Sequence, residues 1–344
     1  MIYFDNAATT PLCESAREIL SQSYGNPSSP HALGLAAERM IKAATKDIAN
    51  ILSCKNDELI FTSGGTESNN LGILGAAFAL KSAFGKDKPM HIMANRYEHP
   101  SVLGPLNYLA SLPEFTISPE LHENTRMICI SQVNSETGDI TKIEKPKGVV
   151  LFVDGAQAFC KIEPPSDVDI YSFSAHKVHG PMGVGGLMVR KGLRLQPLMY
   201  GGGQQRDLRP GTENVPGILA MAAAAKNFQK IGRIKEIMMD LVNEIPNAFV
   251  NQTSQEASTY ILNLSFPGLR GETLTSLLST KGLFVSMGTA CRTKKGSRSP
   301  LEEMGISHAY AESAIRLSFS GMNTEDEAYE AKEIIKSCVK ELRR

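Results

Sequence analysis

The sequence predicts an α/β fold in which a large domain with a mostly parallel sheet is combined with a smaller α+β domain. As far as about residue 230, short apolar runs that end in polar or glycine-rich turns alternate with longer segments of helical periodicity. This alternation is typical of parallel strands joined by helices. Beyond that point the pattern changes to a helix, a strand and a long terminal helix. A chain of 344 residues is long enough for about two domains.

Short apolar runs that end in polar turns are the predicted strands of the large sheet. They cover residues 58–62, 90–94, 127–133, 149–154 and 168–174. Residues 31–52 and 71–84 carry the helical periodicity. Since ligands of open α/β sheets bind outside the carboxyl ends of the strands, the residues that follow each run are the candidates for function.

The segment after residue 230 predicts the smaller domain. Residues 233–245 have a helical pattern, residues 259–266 form a predicted strand, and Thr324 and Glu327 predict a capping box at the start of the terminal helix. The apolar residues of that helix share one face, which indicates packing against a core. They are Ala331, Ile334, Ile335, Cys338, Val339 and Leu342.

Charge and targeting features limit the expected partners. Lys plus Arg and Asp plus Glu number 36 each, so nothing attracts the chain electrostatically to nucleic acid or to an anionic membrane. The N-terminal "MIYFDNAATTPL" lacks a basic and a long apolar region, and no run reaches the roughly 18 apolar residues of a membrane span. We therefore expect a cytoplasmic protein with a small-molecule partner.

The six cysteines suggest neither a metal site nor a disulfide framework. They include no CxxC pair and have no histidine at zinc-like spacing, and a chain of this size needs no disulfide bonds to be stable. We expect free thiols and no metal.

Two of the predicted strands are followed by residues suited to a charged ligand. In "FTSGGTESNN" a strand runs through a glycine turn into a helix, which would place the backbone N–H groups of Gly65 and Thr66 at a helix N-terminus. Such a turn binds anions, most simply a phosphate, although many such turns serve geometry only. Asp154 ends an apolar run, where a buried carboxylate needs a partner. It is either a helix N-cap or the ion-pair partner of a protonated ring nitrogen.

Lys177 lies in "YSFSAHKVHGPMG", among hydroxyls, imidazoles and glycines after an apolar run. A lysine at the carboxyl edge of a sheet can act as a nucleophilic amine and form a Schiff base. Taken alone it would more simply be a surface lysine. Together with the phosphate-type turn, Asp154 and His99, it matches one ligand, pyridoxal phosphate, whose aldehyde, phosphate, pyridinium nitrogen and flat ring need these four groups.

The chain resembles the cysteine desulfurases of the class V aminotransferase family, from "YFDNAATTP" to "AIRLSFS". Seven further motifs carry the resemblance: "FTSGGTESNNL", "EHPSVL", "VNSETG", "DGAQ", "SFSAHKVHGPMGVG", "GGGQQRDLRPGT" and "GTACRT". The resemblance implies a pyridoxal phosphate-dependent transferase fold of type I. It implies a large cofactor-binding domain at 12–231 and a small domain at 1–11 and 232–344.

The resemblance also implies roles for individual residues. Lys177 would bind the cofactor covalently, Asp154 would hold the pyridine nitrogen, Gln157 the phenolic oxygen, and His99 would stack on the ring. Thr66, Ser174 and His176 would hold the phosphate, with the turn at Gly65. Thr212 would reach the phosphate of the other subunit, which implies a homodimer. Asn134 and Arg316 would bind the carboxylate of the substrate.

Cys291 determines the chemistry that we expect within this family. It lies in "VSMGTACRTKKGSRSP", which resembles the loop that carries the sulfur-accepting thiol, and the basic residues Arg292, Lys294, Lys295 and Arg298 would favour a thiolate. The other cysteines fall on no family motif and are expected to be structural or incidental. The resemblance thus implies conversion of L-cysteine to L-alanine. The sulfur would pass through a persulfide to an acceptor for Fe–S cluster assembly or thiolation.

Three alternatives remain at the level of the sequence. A selenocysteine lyase would share nearly every cofactor residue, an ordinary aminotransferase would not explain the Cys291 loop, and a non-catalytic docking scaffold would not need Lys177, Asp154 and His99. The chain also departs from the family pattern in two places. The loop from Cys291 to Pro300 is about two residues longer and more basic, and the region between Asn134 and Asp154 is short.

Overall fold

The structure is a computed structural model that describes residues 1–84, 89–142, 144–287 and 298–344. Two compact units divide the chain. The first contains the described residues of Met1–Thr10, Val133–Thr141 and Gln229–Arg344, and the second contains those of Pro11–Gln132 and Lys142–Phe228. The sequence-based boundaries stay a prediction. They differ from these units mainly in residues 133–141, which they assign to the large domain.

Strands and helices are numbered in chain order over the described residues. The strands are β1 (Ile2–Tyr3), β2 (Leu59–Thr62), β3 (Met90–Ala94), β4 (Phe115–Ser118), β5 (Thr125–Ser131), β6 (Val150–Asp154), β7 (Ile170–Ser174), β8 (Gly185–Val189), β9 (Phe249–Val250), β10 (Ile261–Ser265), β11 (Leu283–Phe284), β12 (Ser286–Met287) and β13 (Ala314–Ser318). The helices are α1 (Glu14–Leu20), α2 (Ala32–Ile51), α3 (Gly65–Phe84), α4 (Pro100–Ala110), α5 (Val215–Lys226), α6 (Ile234–Met239), α7 (Leu241–Glu244), α8 (Gly271–Thr280), α9 (Pro300–Glu303), α10 (His308–Glu312) and α11 (Glu325–Leu342).

The second unit is built on a seven-stranded sheet of order β2-β8-β7-β6-β5-β3-β4. The pairs from β7 to β4 are all parallel, whereas β8 runs antiparallel to both β7 and β2. The prediction of an α/β fold with a mostly parallel sheet is therefore confirmed.

Helices cover both faces of this sheet, which is why its strands are continuous apolar runs rather than alternating ones. Successive residues of β5 point to opposite faces. Ile128 belongs to a core cluster with Ile48 of α2 and Met221 of α5, whereas Cys129 belongs to a second cluster with Leu106 of α4. The central strands are thus buried throughout, and only their ends are available for chemistry.

The first unit has a four-stranded antiparallel sheet of order β12-β13-β10-β9 and a two-stranded parallel sheet of β1 and β11. Its core includes Phe4, whose ring meets that of Phe319 edge to face with centroids 4.9 Å apart. The predicted capping box is present at α11, since Thr324 and Glu327 each accept a hydrogen bond from the backbone of the other at 3.1 Å. Cys338 on the same helix is fully buried, as its apolar face predicted.

Several elements differ from the sequence-based prediction. The helix expected at 233–245 is two short helices, α6 and α7, separated at Asp240. Strand β8 was not predicted, because its glycines weaken a strand pattern and are needed for close packing instead. No helix in the described part of the chain is long and apolar enough to cross a membrane.

Candidate active site

Polar side chains follow adjacent strands at one edge of the seven-stranded sheet. Asp154 at the end of β6 is the register partner of Ser172 in β7. Ser174 ends β7, and Lys177 follows it in a short 3-10 turn. These residues share an edge because parallel strands have their carboxyl ends on the same side, where α/β proteins bind ligands.

The glycine turn between β2 and α3 lies against the end of β7. Gly64 has a φ of +149°, and Gly65 begins α3. A Cβ on Gly65 would lie 3.6 Å from Ser174 Cβ, whereas a Cβ on Gly185 of β8 would lie only 2.6 Å from the carbonyl oxygen of Phe173. Gly185 therefore allows the close approach of the strands, and the N-terminus of α3 meets a serine hydroxyl. This arrangement is suited to an anion such as phosphate.

The other residues expected at the phosphate differ in burial. Thr66 and Thr212 are exposed, and His176 is half-buried. Burial, together with the positive charges of Lys177 and Lys161, lowers the pKa of His176 to about 4. The imidazole is therefore neutral near pH 7 and has one N–H to donate.

Lys161 is a site neighbour that the sequence analysis did not single out. Burial lowers the pKa of Lys161 to about 7, with a further contribution from the positive charge of Lys177. Two neighbouring ammonium groups repel each other, so the pair favours a neutral amine. No motif or periodicity marks Lys161, so it cannot be recognised from the sequence.

Asp154 is a buried carboxylate with fixed hydrogen-bond donors. It is 5% exposed, and its Oδ1 accepts from the backbone N–H of Ala156 while its Oδ2 accepts from Asn69 Nδ2, each at 2.9 Å. Within the described part of the chain it forms no ion pair. A carboxylate in this position is suited to a cationic ligand atom. Gln157, one turn further on, is also buried.

His99 is the N-cap of α4, and its imidazole is exposed. Its Nδ1 accepts from the backbone N–H of Ser101 at 3.1 Å. The preceding residue, Glu98, is buried and accepts hydrogen bonds from the backbone N–H of Ser131 at 2.9 Å and from its hydroxyl at 2.5 Å. Burial raises the pKa of Glu98 to about 7, although these hydrogen bonds oppose the rise. Glu98 thus attaches the loop before His99 to the end of β5.

In the first unit, Arg316 of β13 lies between two carboxylates. Its outer nitrogens contact Asp5 Oδ1 at 3.2 Å and Glu136 Oε1 at 3.7 Å, and they donate to Ser135 O at 2.8 Å and Ser286 Oγ at 3.1 Å. Its Nε is buried and has no acceptor among the described residues. The guanidinium is therefore held in place while one donor remains available for a ligand.

Asn134, the other residue expected at the substrate carboxylate, belongs to the same unit. Its Oδ1 accepts from the backbone N–H groups of Glu136 and Thr137 at 2.8 and 3.0 Å. These bonds orient the side chain. Cys291 and its neighbours Arg292, Lys294 and Lys295 lie outside the described residues, and Arg298 is exposed.

The second unit offers a donor set that fits pyridoxal phosphate. Asp154 is a buried carboxylate suited to a protonated ring nitrogen, the start of α3 beside Ser174 is suited to the phosphate, and Lys177 is an amine suited to the aldehyde. All of these groups lie at the carboxyl edge of one sheet.

Comparisons with known proteins point the same way. Residues 2–330 match the model of the family described as aminotransferase class-V. A NifS/IcsS protein homolog of Lactobacillus delbrueckii subsp. bulgaricus is 38% identical, over 96% of this chain and 95% of the relative. The cysteine desulfurase IscS of Methanosarcina thermophila is 32% identical, over 99% of this chain and 93% of the relative.

Solved structures give the same result. A NifS-like protein superposes with a TM-score of 0.85 at 31% identity and covers 98% of both chains. A second structure, described as SspA in complex with cysteine, has a TM-score of 0.80 at 29% identity and covers 94% of this chain and all of the other. The chain therefore belongs to the class V aminotransferase family, whose cysteine desulfurases depend on pyridoxal phosphate, and it has the type I fold of such transferases.

Proposed function

We propose that the protein is a pyridoxal phosphate-dependent cysteine desulfurase that converts L-cysteine to L-alanine and transfers the sulfur to an acceptor. One observation carries the proposal. A buried carboxylate, a lysine and a glycine turn at a helix N-terminus lie at the carboxyl edge of one sheet, in a chain whose relatives include proteins named cysteine desulfurase.

The cofactor residues have distinct tasks in this proposal. When bound, pyridoxal phosphate supplies an aldehyde for the substrate amine and an electron-withdrawing ring that makes the substrate Cα–H bond acidic. Lys177 takes the proton from Cα and returns it. Asp154 keeps the ring nitrogen protonated, Gln157 binds the phenolic oxygen and His99 stacks on the ring. Thr66, Ser174 and His176 hold the phosphate.

Arg316 and Asn134 bind the carboxylate of cysteine. The rigid fork of a guanidinium suits a carboxylate better than an ammonium group does. Since Asp5 and Glu136 already occupy its outer nitrogens, Arg316 acts as a preoriented group rather than as a free surface charge. The side-chain amide of Asn134 adds a neutral donor.

Cys291 accepts the sulfur. Its thiolate attacks the sulfur of the substrate, so that an S–S bond forms as the C–S bond breaks, and the released electron pair stays on the carbon skeleton that becomes alanine. Four of the five described cysteines are less suited. Burial raises the pKa of Cys54 to about 11 and that of Cys160 to about 12, and it also raises the pKa of Cys129 and Cys338.

The proposed active form is a cytoplasmic homodimer in which Thr212 reaches the phosphate of the other subunit. The exposure of Thr212 and its position directly after residues 201–211 support this role at the subunit interface. The sulfur acceptor would be an Fe–S scaffold or a thiolation protein. Sedimentation of the purified protein is expected to give a dimer, and dilution should weaken dimerisation and cofactor retention together.

Alanine release tests the function. The purified chain, loaded with pyridoxal phosphate, is expected to form alanine from L-cysteine in the presence of a thiol acceptor. Lys177→Ala should form none, and Lys281→Ala, at an exposed lysine of the first unit, is the matched control. Release of alanine from selenocysteine but not from cysteine would indicate a lyase, and a keto acid product would indicate an aminotransferase. Either result would contradict the proposal.

A further inference from the structure

Three hydrogen bonds in the second unit join Asp154 to His99, and the two that involve Asn69 are buried. Asn69 Nδ2 donates to Asp154 Oδ2 at 2.9 Å and to Ser101 Oγ at 2.7 Å. Ser101 Oγ in turn lies 2.7 Å from His99 Nδ1. Asn69 is 1% exposed and Ser101 is 9% exposed, so water competes little for the two bonds that Asn69 donates. A continuous chain of side chains therefore links the two residues that are expected on the cofactor ring.

The direction of each bond follows from the chemistry of Asn69. Its Oδ1 accepts from the hydroxyl of Ser172 at 2.5 Å. Turning the amide over would point its oxygen at the Asp154 carboxylate and its nitrogen at Ser172, and would leave Asp154 without this donor. The orientation with both amide hydrogens directed at Asp154 and Ser101 is thus fixed.

The same reasoning locates the ring proton of His99. The backbone N–H of Ser101 can only donate, and it lies 3.1 Å from His99 Nδ1, so this nitrogen is an acceptor. Because Ser101 Oγ accepts from Asn69, its own hydrogen is free to point at the same nitrogen. A neutral imidazole that accepts at Nδ1 carries its proton on Nε2.

We propose that Asn69 and Ser101 are positioning residues that hold His99 in the tautomer protonated at Nε2 and couple this tautomer to the Asp154 carboxyl group. The importance of this coupling for catalysis rests on the proposed function, in which His99 and Asp154 contact the cofactor. In this arrangement Nε2 of His99 carries the N–H. Its Nδ1 is occupied and cannot act as a base.

Nitrogen NMR of the full chain tests the tautomer directly. With histidine labelled at both ring nitrogens, the signals of His99 are identified by their loss in His99→Gln. We expect the chemical shift of Nδ1 to lie in the range of an unprotonated nitrogen and that of Nε2 in the range of a protonated one, with and without pyridoxal phosphate. A wild-type signal with the proton on Nδ1 would overturn the proposal.

Asn69→Asp provides the sharpest variant. The new carboxyl group can share a proton with Asp154 through one of its oxygens. Its other oxygen faces Ser101 and can only accept a hydrogen bond. The Ser101 hydroxyl then donates to the new carboxyl group instead of to His99, and its oxygen can accept from Nδ1, so we expect a population of His99 protonated at Nδ1. Asn70→Asp is the matched control, because Asn70 instead donates to Thr66 O on the helix surface at 2.9 Å. Identical His99 signals in both variants would refute the coupling.

A second pair of variants keeps the test decisive if Asn69→Asp fails to fold. Ser101→Ala removes the hydroxyl link and leaves only the backbone N–H at position 101 on Nδ1, so a fraction of His99 protonated at Nδ1 should appear. Ser101→Thr keeps the hydroxyl and should restore the wild-type signals. We also expect Asn69→Asp to bind pyridoxal phosphate about ten- to a hundredfold more weakly, equivalent to one hydrogen bond to a charged group. Unchanged signals in Ser101→Ala would refute the proposal. The tautomer is measured without turnover. A failure of this proposal can therefore be told apart from a failure of the proposed function, which alanine release tests.

Discussion

Arg209 donates from Nε to Glu67 Oε1 at 2.9 Å, and this pair connects the segment that leads to Thr212 with the first turn of α3. The other oxygen of Glu67 accepts from the backbone N–H of Ser63 at 2.6 Å. Burial alone would raise the pKa of Glu67, but the hydrogen bonds from Arg209 and Ser63 outweigh it and lower the pKa. One carboxylate thus organises both the glycine turn and the segment before Thr212.

We expect a double-mutant cycle of Glu67→Gln and Arg209→Gln to give a coupling energy of about 1–2 kcal/mol, because the pair is partly buried. The free energy of unfolding is measured by denaturant titration. The exposed pair of Lys42 and Glu38 is the control and should give about 0.3–0.5 kcal/mol. Since the pKa of Glu67 is lowered on folding, the coupling should be present near pH 7 and fade as the pH falls below 4.5. Equal coupling in both pairs would contradict this.

Glu98 should make the protein less stable as the pH rises through neutrality. Its pKa is raised from 4.5 to about 7 in the fold, so the folded state binds the proton more tightly than the unfolded state does. The resulting stabilisation is fully present below pH 4.5 and is lost as the pH approaches and passes about 7.

Glu98→Gln removes this titration. The unfolding free energy of the wild type minus that of Glu98→Gln should fall by up to about 3 kcal/mol as the pH rises from 4.5 to 7.5. The exposed Glu123→Gln controls for the loss of one charge. A difference between wild type and Glu98→Gln that does not vary with pH would show that Glu98 is ionised throughout.

Arg316→Lys should weaken cysteine binding more than it slows turnover. Lysine keeps the charge but loses the planar fork, including the buried Nε, so KM should rise about 10- to 100-fold with a smaller change in kcat. Steady-state kinetics at full cofactor occupancy measures both constants. Arg270→Lys, at an exposed position of the first unit, is the control. A fall in kcat with KM unchanged would exclude a role in ground-state binding.

Cys291→Ala should lower alanine formation by about 100-fold or more, as expected when a nucleophile is removed. Cysteine should still shift the visible absorbance of the bound cofactor, because proton removal belongs to Lys177. Cys13→Ala, at a half-buried thiol near α1, is the control. Mass spectrometry should locate the persulfide on Cys291 in the wild type. Near-normal alanine production by Cys291→Ala, with the persulfide on another cysteine, would show that the assignment is wrong.

The residues predicted from the sequence share a local signal. Asp154, Ser174 and Lys177 each follow a short apolar run, and Gly65 stands in a turn between a strand and a helix. Such positions can be recognised without knowing which strands are neighbours, because α/β folds bind ligands at strand ends. The fold class was accessible for the same reason.

The supporting residues have no such signal. Asn69 meets Asp154 across 85 positions of sequence, and Arg209 meets Glu67 across 142. Asn69 and Glu67 lie within a helix and look like ordinary polar helix residues until the strand order is known. The antiparallel β8 was missed because it contains Gly185 and Gly186, which close packing requires and strand propensity disfavours.

The division of the chain into two units sets an order for its folding during synthesis. The second unit is complete once residue 228 has left the ribosome, whereas the first combines residues 1–10 and 133–141 with the C-terminal third. Strand β1 pairs in parallel with β11, so Ile2 and Tyr3 wait for a partner at 283–284. We therefore expect the nascent chain to carry an unpaired N-terminal strand, with Phe4 exposed, for most of translation. At this stage it is most open to aggregation and to chaperone binding.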